Sequence, residues 1–396
     1  MTGGKDMIEG TTTGSPPSRL RFGMVGGGPG SFIGDVHRKA ASFDGRAAIV
    51  AGCFSRESDK TLATGLSLGL DEARCYRSFE EMAERESRRE DRIDFVSITT
   101  PNNSHYAIAR TFLESGIPVV CDKPLTRELK EAQHLARLVA EKDLLFCVTY
   151  TYTGYPMVKH ARDLIRQGAI GAIRFVNAEY PQDWLATPLE KTGQKQASWR
   201  TDPEQSGAGG SVGDIGSHIE NLVTYLTGLE IESLSARLDT FVPGRLLDDN
   251  ASILVDYKGG SKGLYWCSQI AVGWDNALSI RIFGETGSIE FHQEDPNYLK
   301  IARLGKPTER LSRGRDALSA HASSFSRVPS GHPEGYYEAF ANLYGAFMDA
   351  LAKKSSGARL GADDADFPNV EDGVRGVRFI TRCIESARKG SLSVRF

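Results

Sequence analysis

The chain is 396 residues long, too much for one ordinary domain and enough for two that each bury a core. Its 48 Lys and Arg against 51 Asp and Glu leave a formal charge of −3, which demands no basic face and argues against nucleic acid as the main partner. Apolar runs never reach the roughly 18 residues that a membrane span needs. Residues 1–18 read as a flexible Gly-, Thr- and Pro-rich arm, and the six cysteines show no metal or disulfide spacing, so the sequence predicts a cytoplasmic protein without a metal site.

From residue 19 to residue 150, short apolar runs at 20–25, 47–54, 93–99, 117–121 and 144–149 alternate with helix-length amphipathic segments. One of these, 127–142, carries Leu135, Leu138 and Val139 at helical spacing. This rhythm predicts a doubly wound parallel sheet of Rossmann type. The mixed-charge stretch 80–92 reads as a solvated helix and loop. Cys53, Cys121 and Cys147 fall in apolar runs and read as small buried hydrophobes.

After Tyr150 the rhythm changes. A helix at 156–167 precedes longer alternating strands at 173–180, 232–240, 252–257, 263–270, 277–283 and 288–291. They predict an α+β second domain, 151–396, built on a large, mostly antiparallel open sheet. An exposed sheet face of that size invites a partner subunit, in a homodimer or homotetramer. Phe340, Leu343, Tyr344, Phe347, Met348 and Leu351 then recur at helical spacing as one apolar stripe, read as core.

The first candidate site follows the first strand directly: Gly26, Gly28, Pro29, Gly30, Ser31 and Phe32 lead into a helical segment. A tight turn, bare backbone amides and a helix amino terminus are what a dinucleotide pyrophosphate requires. With Gly26 and Gly28 as the first two fingerprint glycines, the third position falls on Ser31, small enough to pack closely. The second strand ends in Phe54-Ser55-Arg56 where an acid would hold a ribose hydroxyl. A hydroxyl and a guanidinium at Ser55 and Arg56 suit a 2′-phosphate, while Asp59 is within reach of the ribose; NAD and NADP both stay open.

Further polar positions gather at strand ends. Thr100, Pro101, Asn102 and His105 form a loop that reads equally as a helix cap. The buried run at 117–121 ends in Asp122-Lys123-Pro124, and the proline cannot continue a central strand, so the ammonium emerges at the carboxyl edge where open α/β sheets bind ligands. Asp214 and His218 stand four apart ahead of a helical segment. Such a pair puts a carboxylate beside an imidazole, favouring the protonated ring, and serves acid/base chemistry or a structural contact alike.

Together, Gly26 to Gly34, the segment 94–105, Asp122-Lys123-Pro124 and Gly213-Asp214-Ile215-Gly216-Ser217-His218 resemble the Gfo/Idh/MocA family, named for glucose-fructose oxidoreductase and inositol dehydrogenase. The likeness runs from Arg21 to Arg388, with Asp122 where the family usually has Glu. It implies NAD(P)-dependent oxidation of a ring hydroxyl on a sugar, glycoside or cyclitol, with Lys123, Asp214 and His218 as the catalytic group. Lys123 would stabilise the developing oxyanion, His218 take the proton, and Asp214 hold the hydroxyl and orient His218. It also implies that Pro101, Asn102 and His105 lie near the nicotinamide and its ribose, with Thr100 and Asp122 on the cofactor side. Some relatives resemble NAD-dependent glycosidases that use a transient oxidation, and others bind NAD(P) only as sensors. Trp184, Trp199 and Arg200, in the long loop after residue 180, fit sugar stacking and sugar oxygens or, equally, a subunit interface. Tyr152 and Tyr155, where the second domain begins, are placed to line the cleft.

Overall fold

The computed structural model describes residues 19–361 and 363–396, so the proposed arm at 1–18 lies outside the described residues. The first sheet consists of β1 (Leu20–Gly26), β2 (Ala47–Cys53), β3 (Phe95–Thr99), β4 (Val119–Cys121) and β5 (Phe146–Val148), all parallel, in the order β2-β1-β3-β4-β5. Between them run α1 (Phe32–Ser42), α2 (Ser58–Ser67), α3 (Phe79–Ser87), α4 (Asn102–Glu114) and α5 (Leu129–Lys142). The strand order reverses direction between β1 and β3, and the crevice outside those carboxyl ends is where this topology takes a ligand. Cys53, Cys121 and Cys147 are buried and unbridged, as their apolar settings predict.

One charged run differs from its expectation. Ser78 caps α3 by accepting from Glu81 N, but the helical period then turns Glu86 inward with Met82 and Ala83. Glu86 is fully buried and is compensated by Arg74 Nη2 at 2.5 Å and by the Tyr76 hydroxyl at 2.6 Å.

Past Tyr150, α6 (Pro156–Arg166) leads to β6 (Ile173–Pro181), the short helices α7 (Lys195–Arg200) and α8 (Pro203–Ser206), a π-turn at Val212–Gly216, and α9 (Ser217–Thr227). The second sheet continues through β7 (Ile231–Asp239), β8 (Asn250–Tyr257), β9 (Lys262–Ser268), β10 (Ser279–Gly284), β11 (Gly287–His292), β12 (Tyr298–Arg303) and β13 (Glu309–Ser312). After α10 (Ala320–Ser324), α11 (Tyr336–Ser355) and α12 (Val370–Arg388), β14 (Val394–Arg395) closes the far edge. The nine strands run β13-β12-β11-β10-β6-β9-β8-β7-β14, antiparallel except where β6 meets β9. Strict alternation sends Val176, Ala178, Ile253, Val255, Ile280 and Ile282 into one core with α6 and α9, and leaves Phe175, Leu254 and Phe283 on the open face. The short strands β12, β13 and β14 carry Lys, Arg and Glu between their apolar residues and escape a reading based on apolar runs.

The stripe on α11 is core, but it serves the first sheet. Phe340, Leu343, Tyr344 and Phe347 share a cluster with Phe22, Val36, Phe95 and Val120, so the chain returns to cover the sheet it began with. Inside this cluster His37 Nδ1 meets the Tyr344 hydroxyl at 2.8 Å and Ser97 Oγ at 3.2 Å, while Nε2 stands 4.0 Å from Asp122 Oδ1. Burial lowers the His37 pKa from 6.5 to about 4, against the opposing pull of Asp122.

Because the unfolded chain binds a proton at His37 near pH 6.5 and the folded chain only near pH 4, this stabilisation is present above pH 6.5 and is lost as pH falls through that window. The shift corresponds to about 3 kcal/mol. Urea unfolding of wild type and His37→Gln between pH 7 and pH 4 is expected to give a shallower loss in the variant, and parallel curves would contradict this.

Candidate functional site

The glycine loop is shaped by three close approaches. A Cβ on Gly26, which has φ +88°, would lie 2.9 Å from the Thr99 carbonyl, and one on Gly28 would lie 2.7 Å from the Phe54 carbonyl. The third is on α1, where a Cβ on Gly34 would sit 2.3 Å from Gly27 Cα. Close packing of helix on loop therefore belongs to Gly34 and not to Ser31, because the helix begins at Phe32 and position 31 is its cap, Ser31 Oγ accepting from Gly34 N at 3.2 Å. At the tip, beside Pro29, a Cβ on Gly30 would meet nothing within 4 Å. A cavity of about 640 Å³ opens there, lined by residues 27–32 with Arg38, Lys60 and Thr64 and with one carboxylate, Asp35, which lies 3.8 Å from Arg38. Bare amides at a helix amino terminus, open space and two cations fit a dinucleotide pyrophosphate.

Beyond β2, Ser55 is tied to Thr61 through its backbone, and its Oγ accepts from Glu57 N at 3.1 Å. Arg56 and Asp59 are both exposed, and Arg56 makes no ion pair among the described residues. Phe32 stacks on Tyr336 of α11 at 6.3 Å, joining the loop to the returning helix.

The loop after β3 is held more tightly than its sequence suggests. Pro101 precedes α4, Ser104 Oγ donates to Thr100 Oγ1 at 2.7 Å, and Asn102 Nδ2 donates to the Ser206 carbonyl at 3.1 Å. Both ring nitrogens of His105 are engaged within the protein, 2.8 Å from the Thr100 carbonyl and 2.9 Å from the Pro124 carbonyl. It ties the β3 loop to the segment that carries Lys123. Asp122 Oδ1 accepts from Lys123 N at 2.9 Å and from Thr149 Oγ1 at 3.1 Å, fixing the lysine's backbone from the other side.

Lys123 Nζ then crosses from the first sheet to the π-turn, 2.7 Å from Asp214 Oδ1 and 2.7 Å from the Asp214 carbonyl oxygen. The other carboxylate oxygen accepts from Gln269 Nε2 at 2.9 Å and lies 3.4 Å from Arg200 Nε. Burial alone would raise the Asp214 pKa; Lys123 and Arg200 overcome it and hold the group well below the usual carboxylate range. Gln269 and Arg200 are thus as much part of the carboxylate's setting as the lysine. Gln269 lies just past β9, far from the other motifs in sequence, and no local pattern marks it.

His218 is held differently from the expectation drawn from its spacing. The π-turn interrupts the helix between Asp214 and His218, and no hydrogen bond joins the two side chains among the described residues. The imidazole is gripped instead by aromatic rings, with Tyr152 at 4.8 Å, Tyr150 at 5.5 Å and Tyr180 at 6.1 Å between centroids. Its pKa lies well below 6.5 because burial, then Lys123, outweigh Asp214, so the ring is neutral rather than protonated. Its Nδ1 is buried without a partner.

The loop after β6 folds onto this centre. The Arg200 guanidinium lies over the Trp199 ring at 4.3 Å and the Trp184 ring at 5.8 Å, bringing both tryptophans to the Asp214 side. Tyr152 is beside His218, whereas Tyr155 is packed in the core against Phe291, its hydroxyl accepting from Gln293 Nε2 at 3.3 Å. Tyr180 and Asn276 join Tyr152 without any motif to announce them. Among the described residues no three His, Cys, Asp or Glu side chains are grouped to hold a metal ion, and no helix is long and apolar enough to cross a membrane.

Two family models match the chain: one described as an oxidoreductase family with an NAD-binding Rossmann fold over residues 20–150, and one described as a GFO/IDH/MocA C-terminal domain over residues 158–290. An uncharacterized oxidoreductase of Bacillus subtilis, YfiI, is 35% identical, the match covering 95% of this chain and 97% of that one. The levoglucosan dehydrogenase of Pseudarthrobacter phenanthrenivorans is 30% identical over 55% of this chain and 60% of its own. Among solved structures, an inositol dehydrogenase homolog from Azotobacter vinelandii, complexed with NADH and myo-inositol, superposes with a TM-score of 0.88 at 36% identity, covering 96% of this chain and 98% of that one. With both sheets, the nucleotide loop and these relatives in agreement, the chain belongs to the Gfo/Idh/MocA family and is an NAD(P)-dependent oxidoreductase.

Proposed function

We propose that the chain oxidises a secondary ring hydroxyl of a cyclitol, sugar or glycoside to a ketone, reversibly, with Lys123, Asp214 and His218 as its catalytic group. One observation carries the reading: an ammonium 2.7 Å from a carboxylate, beside a buried neutral imidazole, at the sheet edge that also bears the nucleotide loop. Relatives that act on or bind levoglucosan and myo-inositol, both polyhydroxylated rings, support the substrate class.

Bound NAD(P)+ supplies the acceptor for the hydride. As the carbinol carbon is oxidised, its hydroxyl loses a proton and negative charge gathers on oxygen. The Lys123 ammonium stabilises that oxygen. His218, neutral at working pH, takes the proton, and Asp214, kept ionised, accepts a hydrogen bond from a substrate hydroxyl while holding the ammonium in position. Trp184 and Trp199 offer ring faces to the sugar, with Arg200 stacked between them and the carboxylate. We assign this work to the cytoplasm, in a homodimer or homotetramer that covers Phe175, Leu254 and Phe283 on the open sheet face.

Lys123→Ala is expected to lower kcat for polyol oxidation by about 10²- to 10³-fold while NADH affinity, read by fluorescence titration, stays close to wild type. Retained turnover would sink the assignment. We assign Arg56, exposed and without an ion pair among the described residues, to a 2′-phosphate. Arg56→Ala should weaken NADP+ binding about tenfold and leave NAD+ unchanged; equal effects on both would count against it.

A further inference from the structure

Beside His218 a chain of hydrogen bonds runs from Trp184 to Tyr152, and its direction is fixed from one end. An indole N–H can only donate, so the atom of Gln182 that lies 3.1 Å from Trp184 Nε1 is the amide oxygen. The Gln182 nitrogen therefore faces Asn276 at 2.5 Å, and the Asn276 atom that receives it is the oxygen. The same Asn276 oxygen lies 2.7 Å from the Tyr180 hydroxyl, which must donate to it. Burial keeps both phenols protonated, Tyr152 being pushed up to about 12, so each has one hydrogen to give. Tyr180 has spent its own, and in the close contact between the two hydroxyls Tyr152 must be the donor.

Tyr152 is left as an acceptor with two lone pairs, and among the described residues the Asn276 amide is the one other polar neighbour placed to donate to it, which leaves one lone pair for a ligand. An acceptor of this kind, on a ring 4.8 Å from His218, recognises a group that carries a hydrogen. We infer that Tyr152 accepts a hydrogen bond from the substrate hydroxyl next to the carbon being oxidised, and that the enzyme selects substrates with two neighbouring hydroxyls. The inference rests on the proposed polyol dehydrogenase and names the feature its substrate must have. Trp184 enters as the residue that sets the direction of the chain, three hydrogen bonds from Tyr180 and four from Tyr152 through Gln182 and Asn276.

The test uses whichever of myo-inositol, D-xylose and levoglucosan the wild-type enzyme oxidises with NAD+ or NADP+, together with its deoxy and deoxyfluoro derivatives at the neighbouring carbons. Fluorine keeps the shape and weak acceptor character of a hydroxyl but has no hydrogen to donate. In wild type both derivatives at one neighbouring position should lose about 10- to 100-fold in kcat/KM. In Tyr152→Phe the parent should fall while the penalty for both derivatives shrinks to within about threefold, with NADH affinity unchanged as the sign of an intact fold. In Tyr180→Phe the Tyr152 hydrogen is released to point at the substrate, and the deoxyfluoro derivative should recover relative to the deoxy one. Turnover of the deoxyfluoro compound equal to the parent in wild type, or an undiminished penalty in Tyr152→Phe, overturns the inference while leaving the dehydrogenase reading intact. Absence of turnover on every polyol overturns both.

Discussion

Lys123 Nζ lies 2.7 Å from both a carboxylate oxygen and the main-chain carbonyl of Asp214, and this contact joins a strand end of the first sheet to a π-turn of the second. Its electrostatic consequences reach two neighbours. It offsets the cost of keeping Asp214 ionised in a buried setting, and it adds to burial in keeping His218 neutral. A single cation thus prepares an ionised acceptor and a neutral base side by side. An ionised carboxylate near a neutral imidazole is the pairing that the proposed oxidation of an alcohol would use.

The fold exists to hold that cation still. His105 ties the loop after β3 to Pro124, Asp122 caps the Lys123 amide, and Thr149 at the end of β5 braces Asp122. On the opposite side, Asp214 is placed by a π-turn whose neighbour Ser211 is anchored to the buried Asp248, with Oγ 2.7 Å from its carboxylate. The return of α11 to the first sheet adds a further constraint, since Tyr344 and Phe340 pack on His37 directly behind Asp122. Both sheets therefore contribute to the surroundings of one ion pair, and neither could supply them alone.

Much of this was legible in the residues. Apolar runs locate the five parallel strands to within a few positions; the glycines and Lys123 stand out because they sit where a strand ends, and Asp214 because it stands four residues before His218 ahead of a helix. What was not legible follows from how each signal arises. Ser31 looked like a packing position until the helix start made it a cap and moved the close contact to Gly34. The spacing of Asp214 and His218 suggested a direct pair, but a π-turn changes which residues face one another, and burial together with Lys123 reversed the expected effect on the ring. Nothing in the residue type of His105 announces that its two ring nitrogens bridge the Thr100 and Pro124 carbonyls. Gln269, Tyr180 and Asn276 come from strand ends and loops with no local pattern, and only tertiary structure brings them to the site.

The central claim is that Lys123, acting with burial, keeps His218 neutral and ready to accept a proton. Titration of His218 by NMR in histidine-labelled protein, compared between wild type and Lys123→Met, tests it without requiring turnover. Wild-type His218 is expected to titrate well below 6.5, and in Lys123→Met its pKa should rise yet remain depressed, because burial persists when the charge is gone. A wild-type His218 that titrates at or above 6.5, or a value that does not move when the ammonium is removed, would contradict it.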